Sequence, residues 1–227
     1  MTPRSLAALL AISIAPAAFA QAGVGRTLDE GVFIVMKTGA PSQTESFKIV
    51  QMDNGQIRAT GQVLNADSRI SSVLLADSLG TPASYAFISK AAGATTLDVR
   101  AQPRGRRLTV SSSDNHNNES MKELPIDPGG TVILDEGLVH QLYFVAMGKR
   151  AGSVEVIEPR TARHNAYALT GKGLETVQIG RRSVTATHYS LTGGPQPRDF
   201  WVDTAGRLLK VELPGSGIVA VRDELPK

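Results

Sequence analysis

Four histidines are the residues whose spacing first suggests chemistry in this chain. They lie 24 residues apart, at His116, His140, His164 and His188, and neutral imidazole is a common ligand of zinc and copper. No two of them have the three- or four-residue spacing that places a pair of ligands on one helical face. The sequence therefore predicts no metal site and no cofactor, and these residues are expected to be ordinary half-buried or surface histidines.

The chain also lacks the motifs of the common serine hydrolases. It contains neither S-x-x-K nor G-x-S-x-G, so no nucleophile is placed by a known local geometry. A set of polar residues could still converge in a cleft, namely Asp135, Glu136, His140, His164 and His188. A hydrolytic enzyme with an unrecognised His/carboxylate site is therefore the alternative to a non-enzymatic function, and no catalytic residue is assigned.

The composition excludes several classes of protein. The 227 residues include 24 Lys+Arg, 21 Asp+Glu and no cysteine, which excludes disulfides, thiolate zinc sites and cysteine nucleophiles. The basic residues are scattered and are not interleaved with aromatic residues, so no nucleic acid partner is expected. Apolar residues make up 41% of the chain, enough for a core without disulfides. Nothing in the sequence specifies an oligomeric state.

The first 20 residues have the pattern of a secretory signal. Arg4 precedes an apolar run from Leu6 to Ala15, and Ala18-Phe19-Ala20 supplies the small residues of a cleavage site. We expect a cleaved signal peptide at 1–20, a single domain at 21–227, and a location in the periplasm or the medium. No other stretch approaches the roughly 20 apolar residues of a spanning helix, so a membrane-spanning protein is not expected.

The elements that would position these residues are mostly strands. Apolar residues alternate with polar ones, and glycine-rich turns separate the alternating segments. The Asn54-Gly55 pair predicts a two-residue hairpin turn with positive φ at both residues. Gly171–Gly173 and Asp203–Gly206 are also expected to be turns. Strands are predicted at 32–37, 46–52, 56–64, 71–77, 83–89, 95–101, 107–113, 153–158, 162–170, 175–179, 183–192, 198–202, 208–213 and 218–222.

One segment departs from this alternation. After Pro128-Gly129-Gly130, apolar residues from Leu138 to Ala146 follow helical spacing, with Asp135 as the expected N-cap and Gly148 just past the end. We expect a helix of about three turns over an open side of the sheet, and a subdivision of the domain near 125–130. The predicted fold is mainly β: an antiparallel meander that forms a curved sheet or half-barrel, with one short helix packed on it.

The order of elements in the second half resembles that of a known group of proteins. A strand leads to the helical segment Val139–Tyr143, a second strand ends at Glu158-Pro159, and the hairpin 199–211 follows. Between Thr131 and Asp223 the chain resembles uncharacterised exported bacterial β-proteins whose sheet curls around a helix. It is similar in broad architecture to the Lol-type periplasmic lipoprotein carriers. The resemblance implies a half-barrel with an apolar inner face, a shape used for carrying acyl chains, and it implies no catalytic residue.

The leading hypothesis is an exported binding or scaffold protein without enzymatic activity. It would hold an apolar, acyl-type ligand such as a lipid, or a segment of a partner protein. Aromatic side chains are the natural lining of such a site, although plain core packing is the alternative for each of them. The candidate ligand-binding residues are Phe33, Phe87, Phe144, Tyr167, Tyr189 and Trp201.

Overall fold

The described part of the chain forms one large antiparallel sheet around a short helical segment. The computed structural model describes residues 25–148 and 152–227. The predicted signal peptide, 1–20, lies outside these residues. Within them, fifteen strands form a single open sheet that does not close into a barrel. The predicted curved, mainly antiparallel sheet with one short helix is thereby confirmed.

The element bounds follow the predicted alternation closely from β4 to β7, whereas β8 and β9 were not among the predicted strands and β11 joins two of them. A 3₁₀ turn at Val139–Leu142 leads directly into the α-helix α1, Tyr143–Met147, and further 3₁₀ turns lie at Pro159–Thr161 and Pro214–Ser216. The strands are β1 Arg26–Lys37, β2 Ala40–Gln51, β3 Ile57–Leu64, β4 Ser68–Ala76, β5 Pro82–Ala91, β6 Ala94–Arg104, β7 Arg107–Asp114, β8 Glu119–Pro125, β9 Thr131–Ile133, β10 Gly152–Glu158, β11 Arg163–Ile179, β12 Arg182–Thr192, β13 Arg198–Val202, β14 Leu208–Leu213 and β15 Ile218–Arg222.

Most neighbours in the sheet are also neighbours in sequence. The sheet runs from β8 back to β1, continues with β15, and runs back again to β9. The β9–β10 pair is parallel, and β1 meets β15 in antiparallel register, with Phe33 opposite Arg222. The buried Arg222 guanidinium donates to Asp29 Oδ2 and to the Leu208 carbonyl oxygen. This pair therefore ties the two halves of the sheet together.

The inner face of the sheet and the helical segment share one hydrophobic core. Alternate residues of β3 are buried, among them Ile57, Ala59 and Val63, as period-two alternation requires. Phe144 and Val145 of α1 have no exposed surface and join the same cluster. The core includes residues from both sides of the connection at 126–130. The single domain at 21–227 stays a prediction, as does its subdivision near 125–130.

The other face of the sheet carries a second, smaller core. Trp201 and Leu209 pack there with Val177, Ile179 and Ala186. Since Phe200 and Val202 on either side of Trp201 belong to the main core, strand β13 is buried on both faces. This explains why its sequence is apolar without interruption from Phe200 to Val202.

The helical segment differs from its prediction. Only Tyr143–Met147 is α-helical, Leu138 occupies the N-cap position, and the segment begins as a 3₁₀ turn. Asp135 does not cap it, because its carboxylate accepts a hydrogen bond from the Tyr85 hydroxyl at 2.6 Å. The expectation of a three-turn helix capped by Asp135 was therefore wrong, since a tertiary contact satisfies that carboxylate.

Two of the predicted turns are also corrected. Gly171–Gly173 lies inside the long strand β11, where the register against β12 shifts by one residue at a bulge. In the 53–55 turn, Gly55 has a φ of 82° and Asn54 is not left-handed, so the two-residue form is wrong. The Asp203–Gly206 turn is confirmed, because Gly206 N–H donates to the Asp203 carbonyl and the Asp203 carboxylate accepts from Ala205 N–H.

Candidate functional site

The six predicted lining residues do not share one surface. Phe33, Phe87, Phe144 and Tyr167 are at most 2% exposed within the main core. Trp201 belongs to the second core. Tyr189 is partly exposed, and it stacks on Phe200 with ring centroids 5.4 Å apart. The structure thus brings Tyr189 alone of the six to the cleft described next, and a ligand contact for any of them stays a prediction.

An open cleft lies beside the C-terminal half of α1, and we call it the α1 cleft. Its volume is about 660 Å³. Tyr143, Ala146 and Met147 of α1 line it, together with Leu169 of β11 and Tyr189 of β12.

Hydroxyl groups and one turn complete the lining of the α1 cleft. Thr187 contributes from β12, and Asp203–Gly206 closes the rim. The Asp203 carboxylate is already engaged, because Arg207 donates to it through both its backbone N–H and its Nε, at 2.9 and 2.8 Å. Burial raises the pKa of Tyr143, and the nearby charge of Asp29 adds to this rise. The Tyr143 phenol is therefore a neutral lining group at physiological pH.

A buried Glu45–His140 pair anchors the start of the helical segment. Glu45 points inward from β2, and neither side chain has exposed surface. The Glu45 carboxylate accepts hydrogen bonds from the backbone N–H groups of Val139 and His140, both at 2.9 Å, and from His140 Nδ1 at 2.5 Å. Since a carboxylate only accepts, Nδ1 carries the proton. Glu45 thus does from a neighbouring strand what an N-cap side chain does locally.

The His140 ring lies directly over Gly61 of β3. A Cβ atom at Gly61 would be 2.3 Å from His140 Cε1, so only glycine admits the ring at this distance. The Phe47 ring stacks nearly parallel to the imidazole, with ring centroids 6.2 Å apart. Within the described part of the chain His140 Nε2 has no hydrogen-bond partner. His140 does not line the α1 cleft, and its position is that of a structural histidine.

Asp135 is the centre of a second buried polar cluster. Besides Tyr85, its carboxylate contacts Arg160 Nε at 3.2 Å, and its backbone N–H donates to Gln141 Oε1 at 2.6 Å. The Arg160 guanidinium lies 4.8 Å from the centre of the Phe87 ring. Burial raises the pKa of the Asp135 carboxyl, while Arg160 and the Tyr85 hydrogen bond oppose this rise. These contacts hold the segment before the 3₁₀ turn against β5 and the turn after β10.

Next to this cluster, Arg198 borders a small pocket, which we call the Arg198 pocket. Its volume is about 30 Å³, and apolar side chains from β1, β14, β15 and the 134–142 segment form most of its wall. The side chain of Arg198 is 4% exposed and lies 3.5 Å from Glu158 Oε1. Its guanidinium also lies 5.8 Å from the centre of the Tyr167 ring.

His188 forms a third polar cluster, on the outer face of the sheet. Its Nδ1 lies 2.7 Å from Glu175 Oε1 and its Nε2 lies 3.2 Å from Asp199 Oδ1. The imidazole stacks on Trp201 at 4.3 Å, and Trp201 Nε1 donates to Glu175 Oε2 at 2.8 Å. Glu175 therefore joins the histidine and the tryptophan in one outer-face cluster.

Acidification is expected to change the fluorescence of Trp201, the single tryptophan of the chain. The hydrogen bonds from Trp201 and His188 hold the pKa of Glu175 below its ordinary value. The stability contributed by this carboxylate is therefore present above its unfolded-state pKa, and it is lost as pH falls through the lowered pKa. A fluorescence titration from about pH 6 to about pH 2 should show a step that Glu175→Gln removes. An identical acid step in Glu175→Gln would contradict this assignment.

The predicted hydrolase residues are not brought together. Among the five, the hydrogen bonds and ion pairs described join none to another: His140 contacts Glu45, His188 contacts Glu175 and Asp199, and His164 Nε2 lies 3.0 Å from Glu155. Within residues 25–148 and 152–227, no group of His, Asp and Glu side chains could hold a metal ion.

Sequence reasoning missed the carboxylate partners because all of them lie on other strands. For example, Glu175 of β11 pairs with Ala186 of β12, two residues before His188, and His188 in turn pairs with Trp201 of β13. Glu45 did carry a signal. It lies two residues before Phe47 and four before Ile49, so it shares their inward face in a strand of period two. A charged residue at an inward position needs a buried partner.

Comparisons with known proteins agree with this fold. The family model described as a domain of unknown function, DUF6134, matches residues 90–222. The crystal structure of a β-barrel-like protein of domain of unknown function DUF1849 from Brucella abortus is similar, with a TM-score of 0.56 at 8% identity, over 88% of this chain and 97% of that chain. At that identity the likeness shows the fold alone.

A second solved structure shows a weaker similarity. The crystal structure of a DUF1089 family protein from Pseudomonas aeruginosa gives a TM-score of 0.43 at 13% identity, over 87% of this chain and 96% of that chain. No curated protein sequence matches the chain. In the described part of the chain, no helix has the length and apolar character needed to cross a membrane. The likeness to Lol-type carriers stays a prediction.

Proposed function

Since this chain belongs to the DUF6134 family, whose function is unknown, we propose from its own residues that it is an exported binding protein, located in the periplasm or the medium. Its ligand is an apolar molecule of the acyl type, and the α1 cleft is the binding site. The observation that carries this proposal is the cleft itself. A volume of about 660 Å³ falls within the range of about 300–1,000 Å³ that small-molecule sites occupy.

The lining of the cleft suits an apolar ligand. Met147 adapts its shape to irregular apolar groups, and Leu169 and Val202 add aliphatic surface. Tyr189 is held by its stack on Phe200, so its ring is already in place before a ligand arrives. The main core fills the inner face of the sheet around Phe33 and Phe144. An acyl chain is therefore expected in the α1 cleft and not between the strands and α1.

Gly171→Leu should block the cleft and weaken binding of a dansyl-labelled undecanoyl probe at least about tenfold. Gly171 lines the cleft, and a Cβ atom there would meet Tyr189 Cε1 at 3.9 Å, an ordinary contact. The added side chain thus occupies the cleft without a clash in the strand. The measurement is a fluorescence titration of the purified protein with the probe.

Gly215→Leu is the matched control for this experiment. A Cβ atom at Gly215 has no neighbour within 4 Å among the described residues, and the residue lies in the turn Pro214–Ser216, outside the cleft. This variant should bind the probe like the unmodified chain. Native mass spectrometry of protein from its own cells would also show a bound lipid and the loss of residues 1–20. An absence of both bound lipid and saturable probe binding would overturn the proposal.

A further inference from the structure

The outer-face cluster of His188 and the α1 cleft lie on opposite faces of the same strands. Successive side chains of a strand point to opposite faces, and the residues of the two sites alternate along β12 and β13. In β12, His188 lies between Thr187 and Tyr189, which both line the cleft. In β13, Trp201 of the cluster precedes Val202 of the cleft. A displacement of either strand at the cluster therefore also displaces the lining of the cleft.

The far end of the β11–β12 hairpin begins beside the cleft. In the described part of the chain, the pairing of β10 with β11 ends at Leu169, and the pairing of β13 with β12 ends at Thr187. Thr187 and Gly171, which lies at the bulge of β11, both line the cleft. Beyond them the hairpin packs on the outer face of the sheet, through residues such as Val177 of the second core. Contacts on the outer face therefore set the position of the hairpin end, whose base belongs to the cleft.

Glu175 attaches the hairpin end to the neighbouring strands. Its Oε1 lies 2.7 Å from His188 Nδ1, and its Oε2 accepts a hydrogen bond from Trp201 Nε1 at 2.8 Å. Both contacts use the carboxylate as an acceptor, and a proton on the carboxyl group converts one of its oxygens into a donor. Because the hydrogen bonds from Trp201 and His188 lower the pKa of Glu175, the contacts persist at neutral pH. Acid removes at least one of them.

Other charged groups also lie beside Glu175. They come from β12, β13 and β14, and they are His188, Asp199, Lys210 and Glu212. From β15 and the C-terminal residues the second core receives apolar side chains, Val221 and Leu225. The charge of Lys210 favours the ionised form of Glu175. Asp199 and Glu212 also take up protons in acid, so a substitution at neutral pH is needed to isolate the effect of Glu175.

We propose that the outer-face cluster regulates the α1 cleft: a proton on Glu175 detaches the hairpin end, displaces Gly171 and Thr187, and releases the acyl ligand. This inference rests on the function proposed for the cleft and adds the condition under which the ligand leaves. The contacts of Glu175 with His188 and Trp201 hold the lining in place when the carboxylate is ionised. Because such coupling is reciprocal, a bound ligand also opposes the uptake of this proton.

Glu175→Gln tests this regulation at neutral pH, because a glutamine, like the protonated carboxyl group, cannot accept through both of its terminal atoms. The variant should bind the dansyl-labelled undecanoyl probe at least about fivefold more weakly than the unmodified chain. A fluorescence titration measures the affinity. The Glu175 side chain is 47% exposed, so the fold should persist, and circular dichroism checks this. Below about pH 6 the unmodified chain should lose affinity more steeply than Glu175→Gln, since any titration of the probe is common to both.

Glu155→Gln is the matched control. Glu155 Oε2 also contacts a histidine of β11, His164 Nε2 at 3.0 Å, but neither residue is among the described residues that line the cleft. This variant should bind the probe like the unmodified chain. A second measurement needs no ligand: the methyl resonance of Met147, which lines the cleft, should shift in Glu175→Gln and stay unchanged in Glu155→Gln.

The outcomes separate this regulation from the function of the cleft. If the unmodified chain binds the probe and Glu175→Gln binds it equally well, the regulation is overturned while the proposed binding function stands. An unmoved Met147 resonance in Glu175→Gln would likewise overturn the regulation. If the unmodified chain does not bind the probe, the function proposed for the cleft fails, and the release of an acyl ligand fails with it.

Discussion

Glu45→Ala is expected to lower the free energy of unfolding by about 3–5 kcal/mol. The substitution removes the carboxylate that three N–H groups share, those of Val139, His140 and His140 Nδ1. All three would be left buried without an acceptor, and the first turn of the helical segment would lose its only cap from a side chain in the described part of the chain. Urea unfolding at neutral pH measures the effect.

Glu30→Ala is the control for this measurement. Glu30 also accepts from a basic group, Lys48 Nζ at 2.9 Å, but its side chain is 59% exposed. Removal of such a solvent-screened surface pair should change stability far less than Glu45→Ala does. Glu45→Gln keeps one acceptor oxygen and should fall between the two. Equal losses in Glu45→Ala and Glu30→Ala would contradict the assigned role of Glu45.

Gly61→Ala is expected to destabilise the protein by about 3 kcal/mol or more, although it adds a single methyl group. The new Cβ atom would lie 2.3 Å from His140 Cε1 and 2.7 Å from His140 Nδ1. The ring must therefore move, and its hydrogen bond to Glu45 must lengthen or break. Thermal unfolding followed by circular dichroism gives the loss.

The cause can be isolated by a double-mutant cycle. In a His140→Ala background the space over Gly61 is free, so Gly61→Ala should cost little further stability. Gly171→Ala serves as the control in an otherwise unchanged chain, because its Cβ atom would meet only an ordinary contact at 3.9 Å. If Gly61→Ala is equally costly with and without His140, the close approach of the ring is not its cause.

The strands were largely predictable because alternation is a local property of the sequence. The four strands from β4 to β7 begin and end within three residues of their predicted bounds, since each has apolar residues at period two and a turn at its end. The Asp203–Gly206 turn was predictable for the same reason: Asp203 bonds its own backbone and Gly206 has a φ of 81°. Both signals need no knowledge of the rest of the chain.

Features that depend on distant contacts were not predictable in the same way. Asp135 has the sequence position of an N-cap, yet its carboxylate accepts a hydrogen bond from the Tyr85 hydroxyl, 50 residues away. Gly171–Gly173 has the composition of a turn, yet strand pairing with β12 carries β11 through it. In both cases a tertiary interaction outweighs a local preference.

The candidate site was predictable only in part. Aromatic type does not distinguish a core residue from a cleft residue, so Phe144 and Tyr189 were equal candidates, although only Tyr189 lines the α1 cleft. What separates them is exposure: Phe144 has no exposed surface, whereas Tyr189 is partly exposed. The Arg198 pocket had no sequence signal, because its residues come from five strands and the 134–142 segment.

The pairing of β1 with β15 has a consequence for how the chain folds. Each half of the sheet can grow by adding hairpins, but the halves join through residues such as Asp29 and Arg222, which are 193 positions apart in sequence. Closing so long a loop is slow. Until it closes, β1 and β15 are both edge strands with unpaired backbone groups, which invite pairing with other chains. The late-formed seam in the middle of the sheet is therefore the place where folding competes most directly with aggregation.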